Sequence, residues 1–197
     1  CGEVELREDS LAVYLPEPGM CIDVGGIAKG YAADEAARIL MEAGVEHALM
    51  DFGGNILTVG RKPDGSLWRI GIQVPDASRG QYLGIATVED RAVVTSGTYE
   101  RFFVEDGVRY HHIINTQTGY PVQNLLESVT IFTPDSISAD ALSTAVFALG
   151  LEEGYEFVEG RPNTEALFVT SDNGLYMTSG VETMFEVTNE EYEVRTF

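Results

Sequence analysis

Basic residues are scarce in this chain, and their scarcity is its most restrictive feature. Among 197 residues there are 12 Lys plus Arg against 32 Asp plus Glu, a formal charge of −20. A surface of that sign repels polyanions, so nucleic acid and anionic membranes are poor candidates for partners. A phosphorylated small ligand stays compatible, provided local cations or backbone amides meet it. Cysteine is nearly absent too. Cys1 and Cys21 do not make a disulfide framework, and no Cys/His cluster has zinc-site spacing. No apolar run approaches the ~20 residues of a membrane-spanning helix, so no transmembrane segment is expected in this chain. The first residues, Cys-Gly-Glu-Val-Glu, are not a basic-then-apolar leader. Cys1 runs straight into strand-like sequence and reads as an internal cut. Internal repeats and low-complexity linkers are missing as well.

What remains is an ordinary folding composition, 44% hydrophobic and 22% charged, long enough to bury a substantial core as one domain. Short strands are expected at 3–7, 11–15, Met20 to Val24 and His47 to Phe52. A β-rich stretch follows, with Ile56 to Arg61 and Leu67 to Val74 flanking Lys62-Pro63-Asp64-Gly65, where Asp-Gly signals a hairpin. Further strands are expected at Tyr82 to Val88, Ala92 to Thr95, and Phe102 to Glu105 paired with Val108 to Ile114 around Asp106-Gly107. Glu127 to Thr133, Ala166 to Thr170, an Asn173-Gly174 hairpin, and strands around Tyr176 and at Phe185 to Val187 complete the set. Helices are expected after Asp23, at Ser136 to Gly150, and at Glu152 to Glu159. The pattern is α+β, a mostly antiparallel sheet with a few helices packed on one face.

Three stretches carry possible chemistry. In Ser136 to Gly150, Leu142, Ala145, Val146 and Leu149 recur at helical spacing and predict a buried stripe, with Ser138 as N-cap and Gly150 closing the end. Asp140, Ser143 and Thr144 then share a second face. One carboxylate and two hydroxyls are oxygen ligands of the kind hard cations take, although helix-dipole compensation and half-buried hydroxyls would account for the same residues. In Asp23-Val24-Gly25-Gly26-Ile27-Ala28-Lys29-Gly30, glycines follow a strand and open a helix, whose buried stripe is expected at Ile27, Tyr31, Ile39 and Leu40 with Gly44 at its end. That geometry suits a phosphate cradle with Lys29 adding charge, or simply a helix start with a solvated lysine. His111 and His112 sit together late in a strand, so alternation sends them to opposite faces. One of them could act as a general base, since histidine titrates near neutrality; a satisfied core or surface histidine is the other reading.

Five segments in order resemble the ApbE family of FAD:protein FMN transferases. They are Asp23 to Ala32, Phe52-Gly53-Gly54-Asn55, Thr95-Ser96-Gly97-Thr98-Tyr99-Glu100-Arg101, Tyr110-His111-His112-Ile113-Ile114-Asn115 with Thr118-Gly119-Tyr120-Pro121, and Ala139-Asp140-Ala141-Leu142-Ser143-Thr144. The resemblance implies a T-fold-like architecture and a Mg²⁺-dependent enzyme. Such an enzyme splits FAD, attaches FMN through a phosphoester bond to a threonine within a flavinylation motif of an acceptor protein, and releases AMP. Acceptors in the family are subunits of redox complexes. Carried over by position, the Gly26 carbonyl and the Asp140, Ser143 and Thr144 side chains match metal positions. Asp23, Lys29 and Ile114 match positions that contact FAD, and His112 matches the base that activates the acceptor hydroxyl. The resemblance also implies an exported, membrane-anchored or periplasmic protein, and an N-terminal portion that this chain lacks. Two departures stand out: Asn115-Thr116 occupies the place of a common Asp-Pro, and Ser143 takes a position that is acidic in some members. With water as acceptor the same site would make an FAD pyrophosphatase, and without turnover a flavin-binding module.

Overall fold

The computed structural model describes residues 4–78 and 80–197. Cys1 and the start of the first expected strand, at Glu3, lie outside them. The elements are β1 (Glu5–Arg7), β2 (Ala12–Tyr14), α1 (Ala28–Glu42), β3 (Ala48–Asp51), β4 (Ile56–Val59), β5 (Trp68–Gln73), β6 (Tyr82–Val88) and β7 (Ala92–Gly97). They continue with β8 (Phe102–Glu105), β9 (Val108–His111), β10 (Leu126–Thr133), α2 (Ser136–Leu149), α3 (Leu151–Glu159), β11 (Glu165–Thr170), β12 (Gly174–Met177), β13 (Phe185–Val187) and β14 (Glu193–Val194). The class is α+β. A seven-stranded sheet runs in the order β14-β12-β11-β10-β7-β4-β3, and within it only the β12–β14 pair is parallel.

Alternation along the central strands divides the core in two. Val94 of β7, Val129 and Ile131 of β10, and Phe168 of β11 face the helices and pack with Ala33, Ala139, Val146, Phe147 and Val158. On the other face Val93, Phe132, Leu167 and Val169 pack against a three-stranded sheet ordered β13-β6-β5, through Ile70, Ile72, Leu83 and Ala86. Strands buried on both faces tolerate few charges, which is why Ala166 to Val169 of β11 is a continuous apolar run and the buried polar residues of β10 are hydroxyls, Ser128, Thr130 and Thr133.

The structure corrects several expectations. Met20 to Val24 is not a strand: it has no ladder partner among the described residues, and the Asp23 carboxylate turns back to accept the Gly25 N–H at 2.6 Å. The Lys62–Gly65 turn forms, with Gly65 at φ +81°, but it joins two sheets rather than closing a hairpin. β4 pairs with β3 and β7, whereas β5 pairs with β6. β9 stops at His111 instead of running to Ile114.

The helices present other faces than their apolar periodicity suggested. α1 buries Gly30, Ala33 and Ala37, while Tyr31 and Ile39 are 58% and 57% exposed. Close approach is the reason. A Cβ on Gly30 would run into the Ser136 carbonyl and lie 2.6 Å from Ile137 Cα, so only small residues fit along the α1–α2 contact. α2 is N-capped by Asp135, which accepts from the Ser138 N–H at 3.0 Å, so Ser138 lies inside the helix and does not cap it. Its buried residues are Ser136, Ala139, Asp140, Ser143, Val146 and Phe147, with Ala145 and Leu149 outside. Gly150 does close α2, and Gly44, at φ +85°, follows the end of α1 as expected.

Candidate active site

Asp140 is the centre of the arrangement. It is 5% exposed, and its Oδ2 accepts the Gly30 N–H at 2.8 Å across the α1–α2 contact. Gly30 is the third residue after the Ile27 cap, so its N–H is one of the amides a helix start leaves without an intrahelical acceptor, and Asp140 supplies that acceptor. The Gly26 carbonyl, one residue before that cap, has no hydrogen-bond donor among the described residues. The same contact is braced on its other side by Asp34 of α1. Its two carboxylate oxygens accept the Ser136 and Ile137 N–H groups at 2.7 and 2.8 Å, satisfying orphan amides at the start of α2. Gly26, four residues before the Gly30 amide that Asp140 holds, therefore lies in the same neighbourhood as Asp140.

Hydroxyls complete that neighbourhood. Ser143 Oγ donates to the Asp140 carbonyl at 2.9 Å and lies 2.8 Å from Ser96 Oγ, which reaches over from β7. Ser96 Oγ is also 3.2 Å from Thr144 Oγ1. Among the described residues no three His, Cys, Asp or Glu side chains cluster as a metal site. The oxygens assembled here are of another kind: one carboxylate, a peptide carbonyl with free lone pairs, and hydroxyls. That donor set fits Mg²⁺, which takes one or two carboxylates, keeps waters and shares substrate phosphates. Asp140, Thr144 and the Gly26 carbonyl are the groups with unspent lone pairs; Ser143, fully buried, has its proton and one lone pair engaged.

The other expected residues sit at the start of α1 and at the end of β9. His112 is exposed, its Nδ1 3.2 Å from the Arg101 carbonyl, which its own N–H also meets. His111 points inward: it is 8% exposed, its Nε2 lies 3.0 Å from the Val122 carbonyl, and its ring stands edge-on to Phe147. Alternation separates the two histidines as expected, His111 buried and His112 exposed. Burial pushes the His111 imidazole below the usual histidine range, opposed in part by the Val122 carbonyl. Lys29 is half-buried at the third residue before Ala32, and Asp23 and Ile114 are exposed, Ile114 bridging to Pro121. In place of Asp-Pro, Asn115 builds its loop by accepting the Gln117 and Thr118 N–H groups at 2.9 and 3.3 Å.

Glu100 is the link that residue-type reasoning left without a role. Its side chain reaches solvent, yet protein packed around the carboxyl pushes it above the usual carboxylate range. Lys29, His112 and Arg101 pull it down and Asp140 pushes it up, so one carboxylate senses charges from α1, α2 and the end of β9. Beside it a cavity of about 400 Å³ opens on the other face of β7, lined by Asp51, Gly54, Arg69, Tyr82, Thr95 and Tyr99. Burial raises the Tyr99 phenol well above its ordinary range, keeping it a neutral donor. Asp23, Lys29 and Ile114 do not line this cavity.

The sequence model of the ApbE family matches residues 2–168. This chain belongs to the ApbE family. Over 98% of its length it is 40% identical to the FAD:protein FMN transferase of Klebsiella pneumoniae (strain 342), covering 59% of that protein. Over 86% it is 41% identical to the FAD:protein FMN transferase of Treponema pallidum (strain Nichols), covering 49% of it. Among solved structures it is similar to the ApbE protein of Thermotoga maritima, with a TM-score of 0.83 and 34% identity over 92% of this chain and 58% of that one. The flavin transferase ApbE of Vibrio cholerae gives a TM-score of 0.79 and 31% identity over 92% and 57%. The chain thus spans about half to three-fifths of the length of these ApbE relatives.

Proposed function

We propose that this ApbE chain carries the metal and phosphate-transfer site of an FAD:protein FMN transferase that uses Mg²⁺. The carrying observation is the Asp140 neighbourhood, where a buried carboxylate caps the start of α1 just after the donor-free Gly26 carbonyl and shares its helix with the Ser143 and Thr144 hydroxyls. Asp140, Thr144 and the Gly26 carbonyl would hold the ion, with Ser143 supporting them. A bound Mg²⁺ would neutralise charge on the diphosphate of FAD. Lys29 and Asp23, at the start of α1, would meet the nucleotide, Ile114 would pack on it, and the Gly26 N–H, which has no acceptor among the described residues, would face its phosphates.

In the transfer step a threonine hydroxyl of the acceptor protein attacks the phosphorus on the riboflavin side of FAD. His112 takes the hydroxyl proton, a new P–O phosphoester bond forms, and the bond to the AMP phosphate breaks with its electron pair leaving on AMP. The exposed His112 ring suits an acceptor arriving from solvent. The names of the relatives support FAD and a protein as the two substrates. A threonine-bearing motif on a redox-complex subunit and an extracytoplasmic location are the family's expectations for this chain.

The test is incubation with FAD, Mg²⁺ and a threonine-bearing acceptor peptide, followed by mass spectrometry and AMP quantification. Peptide gaining FMN in step with AMP release is the expected result. AMP appearing at the same rate without peptide would make the site an FAD pyrophosphatase, and tightly held FAD with no AMP would make it a binding module. His112→Ala should slow transfer far more than it weakens FAD binding; the reverse ranking removes its role as base.

A further inference from the structure

Three hydrogen bonds at the Asp140 neighbourhood fix one another's direction. The Asp140 carbonyl can only accept, so the Ser143 hydroxyl spends its single proton there, at 2.9 Å. Ser143 then has only lone pairs for Ser96, which must donate its own proton at 2.8 Å. Ser96 in turn has only lone pairs left for Thr144, so the Thr144 hydroxyl donates inward at 3.2 Å. All three contacts are satisfied at once only in this order. Thr144 is left with both lone pairs turned away from the sheet, and Ser96 is largely buried, at 9% exposed.

We propose that Ser96 of β7 is a positioning residue: through this relay it sets the Thr144 hydroxyl as a lone-pair donor toward the cation held by Asp140. The inference rests on the metal reading given above and adds to it a residue with no expected contact to metal or nucleotide. It also explains why a serine sits on the apolar, helix-facing side of β7 between Val94 and the α2 hydroxyls. Without Ser96, the Thr144 proton is free to rotate toward the site, where it would face a cation.

The test measures Mn²⁺ affinity by EPR, with Mn²⁺ standing in for Mg²⁺ as another hard, oxygen-loving ion, in the parent and in Ser96→Ala, Ser96→Thr, Thr144→Val and Ser96→Ala/Thr144→Val. Outer-sphere partners of metal ligands typically change affinity by about 10–100-fold, so Ser96→Ala should weaken Mn²⁺ at least about tenfold, and Ser96→Thr, which keeps the hydroxyl, should restore most of it. In the Thr144→Val background Ser96→Ala should cost nothing further, because the hydroxyl it orients is gone. Equal Mn²⁺ affinity in parent and Ser96→Ala, or a loss that adds fully to that of Thr144→Val, overturns the relay while leaving the Asp140 site standing. No Mn²⁺ binding by the parent protein overturns both. Circular dichroism without metal confirms folding, and Ser96→Thr carries the test if Ser96→Ala is destabilised.

Discussion

Gly30→Ala is the substitution whose outcome the geometry dictates most directly. On an isolated helix the change would help, since alanine is favoured over glycine by about 1 kcal/mol. Here the added Cβ would collide with the Ser136 carbonyl and lie 2.6 Å from Ile137 Cα and 2.8 Å from Asp140 Cβ. Two of those three are backbone atoms at the start of α2, so no rotamer change relieves the overlap. Moving the helices apart costs about 1–3 kcal/mol by analogy with overpacked cores. It also stretches the 2.8 Å bond from the Gly30 N–H to Asp140, and a hydrogen bond to a charged group contributes about 1.5–3 kcal/mol. Steric and hydrogen-bond losses together outweigh the propensity gain, giving a net destabilisation of about 2–4 kcal/mol. For a chain of this size that is a Tm lower by roughly 5–15 °C. Urea unfolding followed by far-UV circular dichroism, with a thermal melt beside it, measures both. A Gly30→Ala protein as stable as the parent would show that α1 and α2 do not meet at this glycine, and the Asp140 neighbourhood would lose its foundation.

Other expectations follow from the same contacts. Asp34→Ala strips two α2 amides of their acceptor and should cost about 1–3 kcal/mol in urea unfolding; a loss below about 0.5 kcal/mol refutes the cap. Asp140→Asn keeps an oxygen for the Gly30 N–H but removes the charge, so apo stability should hold while the Mg²⁺-induced rise in Tm disappears; a retained rise refutes the metal assignment. Because burial holds the His111 imidazole below its unfolded value of about 6.5, the unfolded chain binds the extra proton more readily. Its contribution is therefore complete above that value and is lost as pH falls through the lower folded one. Unfolding free energies from pH 7.5 to 5 should fall less steeply in His111→Gln than in the parent, and parallel slopes refute the burial argument.

Much of the α+β pattern is local, and local physics is readable. Asp106, Gly107 and Asn173 sit at positive φ, and the Asp106-Gly107 and Asn173-Gly174 turns close the hairpins their dipeptides announce. Strand alternation separated a buried His111 from an exposed His112 because a two-residue period needs no tertiary knowledge. The resemblance singled out Gly26, Asp140, Ser143 and Thr144, and its segments also hold Ser96 and Glu100.

Partnership between distant segments was not legible. Asp-Gly at residues 64–65 reports a turn but says nothing of which sheet each flanking strand joins, and β4 and β5 join different ones. Apolar periodicity placed Tyr31 and Ile39 inside α1 and Leu149 inside α2, because periodicity weighs side-chain hydrophobicity and not how near two helices can come. The glycine at 30 lets α2 approach so closely that Asp140 and Ser143 become the buried edge, their polarity met by the Gly30 amide and the Ser96 hydroxyl 110 and 47 residues away. The sequence alone determined which chemical groups are present and which short turns they form. Only the tertiary structure decided which proton each oxygen receives, because a hydrogen bond between remote segments depends on distances that no local pattern encodes.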